Sequence, residues 1–308
     1  MTEPSTASPP PPPDVAALVV SFEPDGGIVD CLAAIASQVA AVLVLDNGSS
    51  PAARAEAAVA AAGAELVAWP DNRGIAAAQN HLIDRALARG HRWVLLLDQD
   101  SVAEPGLVAA LLAAWEASPD RERVALLAAD NREPGQRAET RWAVSGDGRR
   151  WRAESFAGRP VIPDLLLAPA SGTLIRADAL RDAGPLRDGF FIDMVDVEYC
   201  VRLRRRGWRL LAVRDARVGH RLGEHRPVTV AGRALAVTGH GASRRYHQVR
   251  NAVWTARLHG RAVPALTRWA LRVTLATAVK VLLFERGRRP KLAAMLRGLI
   301  DGLRRPPG

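Results

Sequence analysis

Apolar runs alternate with stretches of helical spacing along the first hundred residues. Val15 to Phe22 reads as a first strand, Ile28 to Val39 as a helix, and Val42 to Leu45 as a second strand ending at Asp46-Asn47-Gly48-Ser49. Ala52 to Ala62 is Ala-rich and helical and is stopped by Gly63; Glu65 to Trp69 is a short third strand; Gly74 to Arg89 is helical and is stopped by Gly90. Trp93-Val94-Leu95-Leu96-Leu97 is an apolar run bounded by polar residues, the pattern of a fully buried strand. Strands alternating with helices predict a parallel sheet with crossover helices, a nucleotide-binding kind of α/β half. Residues 119 to 163 are polar and irregular, with one strand expected near Val124 to Ala128. Leu165 to Ala168, Thr173 to Ile175 and Leu210 to Val213 read as strands and Asp196 to Arg206 as a helix. Arg221 to Arg244, rich in Gly and His, reads as a mobile loop. Pro264 to Phe284 and Pro290 to Arg304 read as amphipathic helices, each opened by a proline, which suits a first helical turn.

Composition adds five points. At 308 residues and 48% hydrophobic, the chain can bury a large α/β core. Cys31 and Cys200 have neither metal-ligand spacing nor a disulfide framework, which suits a reduced, cytosolic setting. Residues 1 to 13 hold six prolines and no apolar signal core, and are expected to be disordered. No run of about twenty apolar residues predicts a membrane span. Charge is uneven: Arg244 to Arg305 carries fifteen Arg or Lys against Glu285 and Asp301, a formal +13, so the remainder holds −3 of the +10 total.

The chemistry concentrates after the strands. Asp98-Gln99-Asp100 closes the Trp93 strand. Two carboxylates one residue apart there are poorly placed for packing and well placed to hold Mg²⁺ or Mn²⁺ against a diphosphate, and ligand crevices of open α/β sheets lie at strand carboxyl ends. Asp46 could accept hydrogen bonds from a nucleobase or ribose; Asp-Asn-Gly-Ser is also ordinary turn and cap chemistry. In Asn72-Arg73-Gly74-Ile75, Gly74 would let the backbone approach a ligand and Arg73 could reach a phosphate, while a capped helix start explains the same residues. Phe190 to Tyr199 interleaves Asp193, Asp196 and Glu198 with apolar residues just before a helix. Desolvation there raises a carboxylate's pKa and makes it a better base; an acid at a helix start is also a structural device. His220 is a lone histidine after a strand.

Together these segments resemble the inverting nucleotide-sugar glycosyltransferases of family 2, in their rhamnosyltransferase-like branch. The resemblance spans about Val15 to Asn251. It rests on Phe22-Glu23-Pro24-Asp25, Asp46-Asn47-Gly48-Ser49, Asn72-Arg73-Gly74, Asp98-Gln99-Asp100-Ser101 and Ala170-Ser171-Gly172-Thr173. Phe191 to Arg202, His220-Arg221-Leu222-Gly223 and Arg244 to Asn251 complete it. The resemblance implies a GT-A type α/β/α sandwich over residues 14–243, donor-binding to about 101 and catalytic beyond, with a basic helical extension over 244–308. It implies Asp196 as general base with Glu198 and Asp193 as supporting acids. Asp46, Asn72, Arg73, Gly74, Asp98, Ser171 and Gly172 would bind the donor, and Asp98, Asp100 and His220 would hold the metal. Where relatives carry Tyr-Asn after the first strand, this chain has Phe22-Glu23. The implied reaction is metal-dependent transfer of a sugar from dTDP-L-rhamnose, with UDP-galactofuranose and other UDP-hexoses as alternatives, to a cell-surface or lipid-linked glycan.

Two other classes account for part of the pattern. A sugar-phosphate nucleotidyltransferase also pairs acids with an α/β nucleotide site, but the Gly-rich, Lys-bearing phosphate loop of such enzymes is absent after the first strand. A nucleic-acid binder would explain the basic tail and not the acid clusters, and 5% aromatic residues give little for base stacking, so no nucleic-acid partner is expected. In the tail, Leu292, Leu296, Leu299 and Leu303 recur at helical spacing beside Lys291, Arg297 and Arg304. That pattern suits peripheral attachment to an anionic surface, the inner face of the cell membrane; packing on the catalytic domain is the alternative.

Overall fold

The computed structural model describes residues 14–24, 26–61, 63–132, 139–145, 147, 149–220, 225–230, 233–305 and 307, with side chains described outside 220–238. The first part of the chain alternates β1 (Val15–Ser21), α1 (Gly27–Ala36), β2 (Ala41–Asn47), α2 (Pro51–Ala60), β3 (Glu65–Trp69), α3 (Ile75–Ala88) and β4 (Trp93–Asp98). β3, β2, β1 and β4 are hydrogen-bonded in that order and all parallel. Parallel strands joined by crossover helices are covered on both faces, which is why β1 is buried along its whole length and reads as one apolar run.

Beyond β4 the sheet is mixed. After β5 (Ser101–Ala103), α4 (Leu107–Glu116) and β6 (Val124–Arg132) come three short strands, β7 (Trp142–Val144), β8 (Arg152–Glu154) and β9 (Val161–Ile162). β10 (Thr173–Arg176) inserts antiparallel between β4 and β6, followed by α5 (Ala177–Ala183), α6 (Val195–Arg205) and β11 (Arg209–His220). The sheet order is β3-β2-β1-β4-β10-β6-β11-β5, with β9 on β11. One core lies on each face. Leu18, Leu43, Leu96 and Phe190 belong to one; Val19, Ile35, Leu95 and Leu127 belong to the other.

Two expectations are corrected here. Leu165 to Ala168 forms no strand; only Leu165 makes an isolated bridge to Val144, and Leu165 and Leu166 fill cores as irregular chain. The stretch read as a mobile loop instead holds an antiparallel pair, β12 (His225–Val230) with β13 (Arg233–Thr238), and its end enters α7 (Ala242–His259). Residues 221–224 and 231–232 of that stretch, and residues 1–13, lie outside the described residues.

The C-terminal part is α7, α8 (Pro264–Phe284) and α9 (Arg288–Arg304). α9 packs on α7 through Ala294, Met295, Gly298 and Gly302. A Cβ on Gly298 would lie 2.4 Å from the Tyr246 carbonyl oxygen, so the small residues set how near the two helices run. Leu296, Leu299 and Leu303 point outward, opposite to what packing of an amphipathic helix predicts. Arg245, Glu285 and Lys291 form an ion-pair cluster that fastens the α8–α9 corner to α7. No described helix is long and apolar enough to cross a membrane.

Candidate active site

The parallel strands end on one edge of the sheet, and their register aligns the polar residues that follow. Ser21 of β1 pairs with Asp46 of β2, and Val20 pairs with Asp98 of β4. Asp46 and Ser21 are fully buried, and Asp46 Oδ1 and Ser21 Oγ have no hydrogen-bond partner. Asp46 Oδ2 takes the Nε–H of Arg54 at 2.9 Å, and Arg54 also donates to the Trp69 carbonyl. Buried polar atoms left unpaired are costly, and these two stand side by side at the ends of paired strands.

Asp98 and Asp100 flank the turn from β4 to β5. Ser171, in the loop entering β10, accepts the Asp98 amide at 3.0 Å, and its Oγ lies 2.6 Å from Ser101 Oγ. Gly172 adopts φ +75°, and a Cβ there would stand 2.9 Å from Asn131 Oδ1; only glycine lets this loop lie against β6. Gln99 donates to the Phe22 carbonyl and accepts the Phe22 amide, joining the β4 and β1 loops. Glu23 accepts from the Ser50 amide and hydroxyl at the start of α2. Glu23 therefore ties the loop after β1 to the residue preceding α2.

Asn72, Arg73 and Gly74 are partly structural. Asn72 Oδ1 accepts from Asn47 Nδ2 and the Gly74 amide, and the Arg73 amide donates to Asn47 Oδ1. The Arg73 guanidinium lies over the Trp69 ring. The backbone that Gly74 lets close in is that of Phe191: a Cβ on Gly74 would fall 2.7 Å from the Phe191 Cα, and the Ile75 amide donates to the Phe191 carbonyl at 2.6 Å. The glycine joins the start of α3 to the acid loop, where the sequence suggested approach to a ligand.

That loop is strained. Phe191, Asp193 and Met194 all have positive φ (59°, 61° and 67°) immediately before α6, a conformation disfavoured for side-chain-bearing residues and persisting only where its surroundings over-determine it. α7 provides those surroundings. Asn251 Nδ2 donates to the carbonyls of Phe190 (2.6 Å), Ile192 (2.8 Å) and Asp193 (2.9 Å). Arg250 donates to the Gly189 carbonyl at 2.5 Å and lies over the Trp254 ring, and Arg244 grips the Asp193 carboxylate through two nitrogens.

Asp196 sits in the first turn of α6. Burial pushes its carboxyl up to about 6; the Val197 amide, donating at 2.8 Å, opposes this, and the charges of Asp98 and Asp193 add to it. The fold thus brings Asp98 and Asp193 within electrostatic reach of Asp196. Glu198 belongs to a different environment. It is buried and accepts from Arg187 at 3.2 Å, Arg202 at 2.7 Å and His259 Nε2 at 3.0 Å. Burial alone would raise its carboxyl, but hydrogen bonds from His259 and Arg202 win and hold it down at about 2. Glu198 is a brace between α6 and α7, permanently ionised near neutrality, and not a second titrating acid. Cys31 and Cys200 are buried free thiols, each pushed up to about 12 by burial.

Asp98 and Asp100 offer hard oxygen donors, the set with which Mg²⁺ or Mn²⁺ is held when substrate phosphates complete the shell. Among the described residues no group of three or more His, Cys, Asp or Glu forms a metal cluster. His220 pairs by backbone with Ser101, one residue past Asp100; its side chain is outside the description. Missing from the sequence reading were the roles of Asn251, Arg250 and Arg244, although all three lie in the Arg244 to Asn251 motif, and of Arg187 and His259, for which the sequence carries no signal.

Comparison with known proteins agrees with this geometry. The family model of Glycosyl transferase family 2 matches residues 19–181, more than half of the chain. A curated relative, the dTDP-rhamnosyl transferase RfbF of Shigella flexneri, is 26% identical over 196 residues, covering 61% of each protein. The chain thus spans under two thirds of that relative's length. Residues 1–349 of S. aureus TarS superpose with TM-score 0.60 at 12% identity, covering 94% of this chain and 81% of that one. TarS in complex with UDP gives TM-score 0.59 at 14% identity, over 94% and 81% of the two chains. These likenesses show a shared GT-A type fold. With the family match running from β1 to α5, over more than half of its residues, the chain belongs to glycosyl transferase family 2.

Proposed function

We propose that this enzyme transfers L-rhamnose from dTDP-L-rhamnose, with inversion, to a hydroxyl of a cell-surface polysaccharide or lipid-linked glycan, working peripherally at the cytoplasmic face of the membrane. The observation that carries the reading is Asp196: one carboxyl at a helix start, beside Asp98, with its pKa raised to about 6. A base near neutrality is matched to taking a proton from an acceptor hydroxyl as that oxygen attacks. The new glycosidic C–O bond forms as the bond from the anomeric carbon to the diphosphate breaks, the proton goes to Asp196, and the nucleoside diphosphate leaves with the electron pair. Attack opposite the leaving group inverts the centre in one displacement.

The other residues divide the remaining work. Asp46 Oδ1 and Ser21 Oγ would accept from the nucleobase, whose ring N–H supplies the missing donor. Asn72, Arg73 and Gly74 would line the donor half (about 14–101), and Ser171 with Gly172 the opposite wall, in the catalytic half (about 102–243). Asp193, clamped by Arg244, supports the loop. Asp98 and Asp100 would hold Mg²⁺ or Mn²⁺, with His220 as a further candidate ligand. When bound, the ion supplies charge neutralisation to the departing diphosphate. No nucleic-acid partner is proposed.

Support for the rhamnosyl donor comes from the curated relative's name. UDP-sugars are the alternative, because thymine and uracil present the same ring N–H and the buried acceptors do not separate them. Assaying donor hydrolysis and transfer over dTDP-rhamnose, UDP-galactofuranose and UDP-hexoses tests this. A dTDP-rhamnose preference of at least tenfold in kcat/KM is expected; preference for a UDP-sugar would replace the donor and leave the transfer chemistry standing.

A further inference from the structure

The outward face of α8 is apolar where a surface helix should be polar. Leu271, Leu275, Val279, Leu282 and Leu283 recur at i, i+4, i+8, i+11 and i+12, and each is 52–59% exposed. The buried side of the helix is carried by Leu266, Ala270 and Val281. A contiguous exposed apolar stripe marks a surface that another phase or partner covers. At the N-terminal end of α8 lies an open cleft of about 740 Å³ lined by Arg149, Arg150, Arg261 and Arg268, with Asp147 the one acid. Asp147 is already engaged by the amides of Arg149 and Arg150.

We infer that α8 is the membrane-docking element: its leucine stripe enters the boundary of an anionic bilayer, and the arginine cleft takes lipid phosphates. This rests on the reading that the enzyme works at a membrane and says which surface does the docking. Charge complementarity selects the occupant. Arg268 and Arg272 of α8 are exposed, as is Arg286 just beyond its end, while the two acids of the C-terminal region are engaged elsewhere, Glu285 buried by Arg245 and Lys291 and Asp301 bonded to the Tyr246 hydroxyl. A second copy would bring the same basic rim against itself; an anionic lipid surface would not. A helix lying in the interface with apolar and basic residues on one face has the composition such attachment requires. The Arg245–Glu285–Lys291 cluster fixes the far end of α8, so the stripe is presented by a held helix. The sequence pointed to both amphipathic helices, Pro264 to Phe284 and Pro290 to Arg304; the structure gives the longer outward apolar stripe to α8.

The test is flotation of the full chain with vesicles of phosphatidylcholine alone or mixed with phosphatidylglycerol, at rising salt. Wild type should bind the mixed vesicles, with binding screened by salt. Leu271→Ser, Leu275→Ser and Leu282→Ser combined should lower partitioning at least tenfold. Arg149→Gln, Arg150→Gln and Arg261→Gln combined should lower it about fivefold for each arginine removed and flatten the salt dependence. Both variants should keep the wild-type melting temperature and turnover on a soluble acceptor. Wild type that fails to bind either vesicle overturns the membrane reading itself. Wild type that binds equally well after both sets of changes overturns only the assignment to α8. A concentration-dependent dimer abolished by the leucine set, without vesicle binding, would make the occupant a second copy.

Discussion

The side-chain nitrogen of Asn251 sits 2.9 Å from the carbonyl of Asp193, and the same nitrogen reaches the carbonyls of Phe190 and Ile192. One amide in α7 therefore fixes the backbone of a loop whose left-handed residues aim α6, and with it Asp196, at the sheet edge. Asn251→Ala should leave donor affinity near wild type and lower kcat by about 10²-fold, the scale of a misplaced catalytic group. Unchanged kcat with full occupancy of the folded state would show that the loop holds its shape without α7.

Gly74 supports the same loop from the other side. Gly74→Ala places a methyl group against the Phe191 backbone at a φ of +88°, which no alanine adopts without strain. Destabilisation of about 1–3 kcal/mol is expected, with a fall in kcat/KM beyond what the unfolded fraction explains. A thermal melt and steady-state kinetics on the same preparation separate the two effects.

The α6–α7 brace has a pH signature. Glu198 is held at about 2 in the folded chain, below its ordinary value of 4.5. Above the ordinary value both states are ionised and the full stabilisation is present; as pH falls from there toward 2, only the unfolded state takes up the proton and the stabilisation is lost. Glu198→Gln should cost roughly 3 kcal/mol at neutral pH and should flatten the decline in stability between about pH 4.5 and 2. A variant as stable as wild type, with the same acid limb, would mean that Arg187, Arg202 and His259 do not depend on this carboxylate.

Asp100→Ala should abolish most turnover while circular dichroism and melting temperature stay unchanged, and should raise the Mn²⁺ concentration needed for half-maximal activity. Full activity of this variant, or of wild type in excess chelator, removes the ion from the account.

How far the sequence could be read depended on the kind of burial. β1, β2 and β4 declare themselves because they are largely buried apolar runs, while β3, at the sheet edge, is only partly buried and shows as a short run. The acids Asp98, Asp100 and Asp196 stand out because carboxylates are out of place in such company. α7 escaped because Arg245, Arg250, Asn251, Thr255 and His259 share its buried face with Val249, Ala252 and Trp254 and interrupt any hydrophobic period. The partnership of Glu198 with His259 bridges 61 residues and has no local trace. Gly74 was recognised as a point of close approach, but the approaching group, Phe191, comes from more than a hundred residues away. The leucines of α9 were legible and their direction was not, since Gly298 and Gly302 take the packing face.

The most direct measurement is the pH dependence of kcat for sugar transfer by wild type and by Asp196→Asn, with donor binding measured alongside. A base with its pKa at about 6 is inactive while protonated. Wild-type kcat should therefore rise about tenfold per pH unit below 6 and level off above it. Asp196→Asn should bind the nucleotide sugar normally, lose at least about 10²-fold in kcat, and show no inflection near pH 6. Retained turnover with the same inflection in Asp196→Asn would contradict the assignment of the base.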